Sequence, residues 1–452
     1  MALAILASVY EGCGNLQKAE QTLGRIQEFR GHGINIEGII GAYAGLGQTY
    51  SNSGDQDKAA EMIRRVLGLA EKYGVPPAKG ISDTMAWAHI ALGNCLLGRL
   101  RVPSDQNADL FMEICSHYEA ALRIRPDTTD KHQVLCAWAI ALACRAKALS
   151  DKLAGDLLAQ ACAKYALAME IEPDKWDVLC DYASVLADRA RLQCGLEADG
   201  LYADAVAKFE AVLKINPNDA EALYNLGCTL SDQAATKSGT QANTLFAQAC
   251  AKFESAVRIN PGKVGALRNW AMALIERTKT TPTEAVDDLF TEAFAKLETA
   301  RKIDPENANT LYNWAVALTE QAEIKAGREA SDLLAQAVSK YDAALKLYPN
   351  MHEASHNLAL VLMLQATGET ASVAHDLLEQ AKARLVSVET MSPGTGAYYL
   401  ARVHARLGEE NEARQLLEQL RNTSGLPSQE DLLVDPDLVS LRNRPWFKEL
   451  FS

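Results

Sequence analysis

The sequence predicts an all-α chain assembled from repeated helical hairpins, and three observations predict it. Pro173, Pro217, Pro261, Pro305, Pro349 and Pro393 follow one another at intervals of 44 residues, and a fixed period of that size marks a repeat architecture. Each interval holds two apolar-periodic segments. The first opens as LYNLGCTL, LRNWAMAL or LYNWAVAL, and the second runs as AQACAKFESAVRINP, TEAFAKLETARKIDP or AQAVSKYDAALKLYP. Small residues also recur at one place in each segment, where two helices can approach closely: Ala139, Ala183, Gly227, Ala271, Ala315 and Ala359 in the first, and Ala161, Ala205, Ala249, Ala293, Ala337 and Ala381 in the second.

Taken in order, residues 1–84 hold two units of ordinary length, LASVYEGCGNLQKAEQTL and LGQTYSNSGDQDKAAEMI, with the linker EKYGVPPAKGISD. Met1 falls at the start of a first helix, so the chain is expected either to be a piece of a longer protein or to begin the repeat abruptly. Residues 85–131 form a third, extended unit that closes on YEAALRIRP. Residues 132–393 are six consecutive extended units. In these, large side chains fill the gaps left by the small ones (Trp138, Tyr182, Leu226, Trp270, Trp314 and Leu358, then Tyr165, Phe209, Phe253, Leu297, Tyr341 and Leu385). The proline ends the second helix because it biases its predecessor away from helix and donates no backbone bond. Polar loops such as TKSGTQAN and TKTTPTEA are expected to join the two helices. An ordinary unit, LARVHARLGEENEARQLL, occupies 394–427, and DPDLVSLRNRPWFKELF within 428–452 reads as a closing cap, which a stack of repeats needs at its end.

These residues resemble the tetratricopeptide repeat (TPR): large–Gly/Ala–x–x–Leu, then Ala, an aromatic or leucine, Ala and Pro. The family unit is roughly 34 residues, so about ten residues are added at each hairpin here. The resemblance implies a right-handed superhelical solenoid of about ten hairpins with a C-terminal capping helix, and a protein-binding scaffold without catalysis.

Composition narrows the functional classes. The chain has 452 residues, 48% hydrophobic, with a net charge of −13. Such acidity disfavours nucleic acid and favours basic partners. Ten cysteines without a C-x-x-C pair read as small buried apolar residues of a reducing compartment, none with a credible histidine partner. No apolar run approaches a membrane span, so membrane insertion is not expected and the chain reads as cytoplasmic. No phosphate-cradling glycine loop or nucleophile elbow is present, and no cofactor is expected.

The resemblance also implies that the first helix of each hairpin lines the ligand groove. At its sixth position stand Asn225, Asn269, Asn313 and Asn357. A carboxamide both donates and accepts, so this row can hold a peptide backbone whatever its sequence; equally, each asparagine can tie one repeat to the next. At the fifth position Tyr224, Arg268, Tyr312 and His356 are candidate side-chain readers. At the thirteenth stand Asp188, Asp232, Glu276 and Glu320, facing either a basic ligand or the lysine row of the second helix (Lys164, Lys208, Lys252, Lys296, Lys340) across the hairpin. The second position (Gln133, Asp177, Glu221, Gly265, Asn309, Glu353) has no lysine, so chaperone C-terminal tails are not the expected ligand.

HEASH, residues 352–356, matches the H-E-x-x-H zinc signature but overlies ordinary repeat positions, with Glu379 the best third ligand. The reading is therefore a non-catalytic scaffold that holds an extended, basic or neutral partner segment along these helices. An architectural subunit docking by its edge or convex face is the alternative, and a zinc hydrolase on HEASH a remote one.

Overall fold

The computed structural model describes residues 7, 10–11, 14–26, 36–73, 79–100, 107–149, 151–281 and 285–451, and the chain divides into two compact units, Met1–Pro217 and Asn218–Ser452. Among the described residues there is no strand. The first unit contains α1 (Leu16–Ile26), α2 (Ile36–Asn52), α3 (Gln56–Lys72), α4 (Lys79–Leu100), α5 (Ala108–Ile124), α6 (Lys131–Ala146), α7 (Asp151–Ile171), α8 (Trp176–Arg191) and α9 (Gly195–Ile215). From α2 onward they pair as consecutive hairpins. Much of the first predicted hairpin lies outside the described residues; its second helix is α1.

The second unit contains the pairs α10 (Ala220–Ala235) and α11 (Gly239–Ile259), α12 (Val264–Thr278) and α13 (Val286–Ile303), α14 (Ala308–Ile324) and α15 (Gly327–Leu347), α16 (His352–Gln365) and α17 (Ala371–Met391), and α18 (Ala397–Leu407) and α19 (Glu410–Asn422). A cap follows: α20 (Gln429–Val434), a 3₁₀ turn (Pro436–Leu438) and α21 (Pro445–Glu449). The cap is three short turns rather than the single helix expected. It buries Leu432, Leu438, Leu441 and Phe447 against Ala401, Ala413 and Leu417 of the last hairpin.

The recurring small residues make the contacts their pattern implies. Ala183, Ala271, Ala315 and Ala359 expose none of their surface, nor do Ala205, Ala249, Ala293 and Ala337. A Cβ placed on Gly227 would stand 2.6 Å from the ring of Phe253. The large residues of the first helices behave less uniformly. Leu226 and Leu358 are buried, whereas Trp138, Tyr182 and Trp314 are only half-buried. Their outer ring faces are covered by lysines of the second helix: Lys164 over Trp138 at 3.7 Å, Lys208 over Tyr182 at 4.4 Å and Lys340 over Trp314 at 4.4 Å, and Lys296 likewise over the buried Trp270 at 3.6 Å.

The extra length of each unit goes into the helices. TKSGTQAN is not a loop: α11 already begins at Gly239. Helices of 21 residues start at Gly195, Gly239 and Gly327, whose φ values of +62°, +56° and +60° turn the chain within two or three residues. Only glycine reaches this region without a Cβ–carbonyl clash. In the unit whose sequence carries TKTTPTEA and no such glycine, α13 is shorter, at 18 residues. Part of TKTTPTEA lies outside the described residues.

Replacing Gly195 by alanine should therefore lower stability by about 1–2 kcal/mol. Gly200→Ala, five residues on in the exposed, unobstructed middle of the same helix, should raise it by up to about 1 kcal/mol. Urea denaturation of the two variants reads the opposite signs.

Candidate binding face of the second unit

All eight candidate groove residues lie on first helices of the second unit, on α10, α12, α14 and α16. The asparagine row divides in two. Asn269 donates through Nδ2 to Tyr224 Oη at 3.3 Å and lies 3.2 Å from Cys228 Sγ. Asn357 repeats the bond one period on, donating to Tyr312 Oη at 3.1 Å. Each ties its own first helix to the preceding one. The side chains of Asn225 and Asn313 make no hydrogen bond among the described residues.

The two tyrosines are consequently held. Tyr224 packs on Phe253 with 6.1 Å between centroids and carries Lys263 Nζ 4.6 Å over its ring. Burial, then Cys228, pushes its phenol up to about 12. Tyr312 sits edge-on to Tyr341 at 6.0 Å, and burial again raises its phenol. His356 stands edge-on to Tyr399 at 4.8 Å with Nδ1 buried and unpartnered; burial depresses its pKa, so it stays neutral near pH 7. Arg268 keeps a buried Nε without a partner.

The zinc reading finds no assembled ligand set. His352 approaches Glu353 at 3.2 Å, His356 turns to Tyr399, and Glu379 binds Lys382 at 2.8 Å, which in turn reaches Glu409 at 3.0 Å. Among the described residues no group of three or more metal-ligating side chains converges. The cysteine reading needs two corrections. Among the nine described cysteines, all of them free, only Cys95, Cys162 and Cys250 are buried. Cys136 also has a histidine partner one turn away: its Sγ lies 3.8 Å from His132 Nε2, while His132 Nδ1 faces the Ala168 carbonyl at 3.2 Å. Burial, reinforced by Asp177, nevertheless pushes that thiol up to about 11, so it stays protonated.

Four lysines of the second-helix row, Lys164, Lys208, Lys296 and Lys340, lie over aromatic rings rather than in ion pairs with the acidic row. Asp188 pairs with Arg191 on its own helix. Glu276 and Glu320 share Lys279, at 3.0 and 3.3 Å. One turn beyond Glu320, Glu323 has no ion pair among the described residues; burial and the neighbouring Glu320 raise its carboxyl pKa.

Glu320 and Glu323 edge a recess of about 490 Å³ that position-by-position reading of the repeats missed. Its floor is apolar, made by Leu360, Met363, Leu364 and Tyr399, with Asn357 among its lining residues. The far wall carries Arg402 and Arg406, both engaged by Asp437. The available signal was Leu364, which breaks the acidic thirteenth position and is 45% exposed. A second recess, of about 520 Å³, is lined by Arg268, Asn269, Asn309, Tyr312 and Asn313 and by the turn entering α16.

Antiparallel hairpins with a small residue facing an aromatic ring, closed by a proline, define a TPR protein, and a TPR family model matches residues 40–73. Within that class the chain belongs to the family described as the plant-specific mitochondrial import receptor subunit TOM20, whose model matches residues 157–273 and again 288–398, just over half of the chain. No curated protein matches. Solved structures to which the chain is similar include yeast Tom70 (16% identity, TM-score 0.48, covering 93% of this chain and 91% of that one). They also include the human IFIT1 dimer with m7Gppp-AAAA (14%, 0.43, 92% and 83%) and a thermophilic TPR protein of Thermus thermophilus (19%, 0.35, 51% and 97%).

The division of the asparagine row is measurable as stability. Asn269→Ala and Asn357→Ala should each cost about 1 kcal/mol, the net worth of one hydrogen bond. Asn225→Ala and Asn313→Ala should stay within about 0.5 kcal/mol of wild type. Chemical denaturation of the four single variants separates the pairs.

Proposed function

We propose that the chain is a non-catalytic receptor that holds a segment of a partner protein along the first helices of its second unit. Glu323 is the observation that carries this reading. It is an exposed carboxylate with no ion pair of its own on the edge of the recess, its pKa raised by partial desolvation and by Glu320 against the opposing pull of Lys279, an arrangement that suits a ligand bearing an apolar side chain beside a basic one. Leu360, Met363 and Leu364 take the apolar group, and Glu323 with Glu320 the cation. Asn225 and Asn313, with free carboxamides, hold the backbone; Asn269 and Asn357 offer it their remaining oxygen. Tyr312 and Arg268 read neighbouring side chains, while Tyr224 and His356 are held by packing and act chiefly by shaping the face. The family's description as a mitochondrial import receptor subunit supplies the setting: the partner is a protein bound for import, met on the cytoplasmic side of the mitochondrial surface. Among the described residues no helix is long and apolar enough to cross a membrane.

A second reading, docking by the edge inside a larger assembly, is favoured by one specific row. Ile259, Ile303, Leu347 and Met391 stand two residues before successive repeat prolines, each between 37 and 43% exposed.

The test is fluorescence anisotropy with a labelled peptide that alternates leucine and arginine. Glu323→Gln and Leu364→Lys should each weaken binding by about tenfold, or ~1.4 kcal/mol, and added salt should weaken the wild type. Unchanged affinity in both variants would move function to the edge.

Linkage gives two further signs. The folded environment raises the Glu323 pKa, so its ionised form destabilises the fold at pH values above that pKa. Glu323→Gln should thus melt slightly higher than wild type at neutral pH, and the difference should close as pH falls through the carboxylate range. A cationic peptide favours the ionised form, so wild-type affinity should fall over the same interval.

A further inference from the structure

The first unit holds a histidine pair that the receptor reading does not use. His89 on α4 and His117 on α5 bring their Nδ1 atoms to 2.9 Å across the hairpin, with ring centres 5.1 Å apart. Both rings are half-buried, so water still reaches them. Two imidazole nitrogens that face each other hold either a proton or, in its place, a metal ion. The far side of His117 favours a free lone pair at Nδ1. Its Nε2 faces the Glu113 carboxylate at 3.8 Å, and Arg64 fixes Glu113 from behind at 2.9 Å. A carboxylate there draws the ring proton to Nε2 and leaves Nδ1 as the ligating atom, the outer arrangement that metal-bound histidines carry. In the metal-free pair His89 Nδ1–H then donates to His117 Nδ1. A metal takes the place of that proton, which moves through solvent to His89 Nε2, and the pair releases no net proton. The spacing selects the ion. Two imidazoles bound at ~2.0–2.1 Å to one tetrahedral ion have nitrogens about 3.3 Å and ring centres about 5.2 Å apart. The ring centres of His89 and His117 already stand at nearly that separation, and the nitrogens need only turn apart by a few tenths of an ångström. At right-angle positions of a square or octahedral ion the ring centres would close to about 4.5 Å, which would require α4 and α5 to approach.

We propose that His89 and His117 form a binding site for one tetrahedral divalent ion of the zinc class, with Glu113 positioning His117. No third metal-ligating side chain joins them among the described residues, so water fills the remaining positions. The site is therefore weaker and more readily reversed than a structural centre closed by four protein ligands. The ion links the two helices of one hairpin, and the inference stands independently of the receptor reading.

The test is calorimetric titration of the untagged full chain with Zn²⁺ and, separately, Ni²⁺, together with the visible spectrum of the chain loaded with Co²⁺. Zn²⁺ should bind one-to-one and more tightly than Ni²⁺, and Co²⁺ should give the intense absorption of a tetrahedral site. His89→Gln and His117→Gln should each remove both signals. Glu113→Gln should weaken Zn²⁺ binding about tenfold; Glu113 is partly exposed and pairs only at the surface, so this variant reads the site even where a histidine variant folds poorly. His352→Gln, which breaks the other histidine pair at helical spacing, should leave Zn²⁺ binding unchanged. Absence of saturable Zn²⁺ binding at hundreds of micromolar would overturn the proposal. So would binding that persists in both histidine variants, the mark of an adventitious ion only. Ni²⁺ bound more tightly than Zn²⁺, with a weak octahedral Co²⁺ spectrum, would overturn the tetrahedral assignment.

Discussion

Every hairpin of this chain depends on how closely its two helices meet. Where Gly227 faces Phe253, the absence of even a Cβ is what lets the ring lie against the helix backbone. Its counterparts Ala183 and Ala315 keep no exposed surface opposite Phe209 and Tyr341. Small-against-large packing of this kind is close-packed and intolerant of added volume. Because it recurs at a fixed spacing, one local contact repeated builds the hairpins within each compact unit, and each hairpin leans on its neighbours there.

That constraint decides where the polar side chains go. Helices that approach so closely leave Trp138, Tyr182 and Trp314 of the first helices half-buried, and a lysine of the second helix lays its ammonium over each ring, as over the buried Trp270. Such contacts are worth about 0.5–1 kcal/mol at exposed sites and occupy the lysines that charge alone would have assigned to the acidic row. Glu276 and Glu320 therefore share the single Lys279, and Glu323 is left over. Lys263 likewise pairs with Glu221 and His352 approaches Glu353, while Arg268 makes no ion pair among the described residues. The unpaired charges are residues of the packing arrangement, and both open into recesses.

The fold was legible because helical hairpins write their packing at a constant period: the prolines, the alanines and the buried leucines each mark a position that tolerates one size class. The hairpin turns were less legible. Gly239 looked like part of a polar loop, yet its left-handed φ starts a helix there, and composition does not distinguish the two. At the face, the row of four asparagines was visible, but its division into two bonded and two free members depends on whether the preceding fifth position is tyrosine, as at Tyr224 and Tyr312, or not. The Leu364 recess was invisible to a position-by-position comparison because α14, α16, α18 and the cap build it together. The His132–Cys136 pair was readable at i, i+4 spacing and passed over for want of a chemical expectation.

Family membership and side-chain pairing bear on different questions. The match to an import-receptor subunit family speaks for a protein ligand and says nothing of which residues meet it, since its model spans 157–273 and 288–398 without singling out a face. Pairing supplies the missing selection. Tyr224, Asn269 and Asn357 are satisfied by neighbours, and their removal acts first on stability. Arg268, Asn225 and Asn313 make no side-chain hydrogen bond or ion pair among the described residues, and Glu323, exposed beside Glu320 with Lys279 as its favourable charge, makes no ion pair of its own. A side chain that destabilises its own protein and faces an open recess is poorly explained by packing. A ligand that supplies the missing counter-charge explains it, and the sign of each unpaired group then specifies what that ligand must bring.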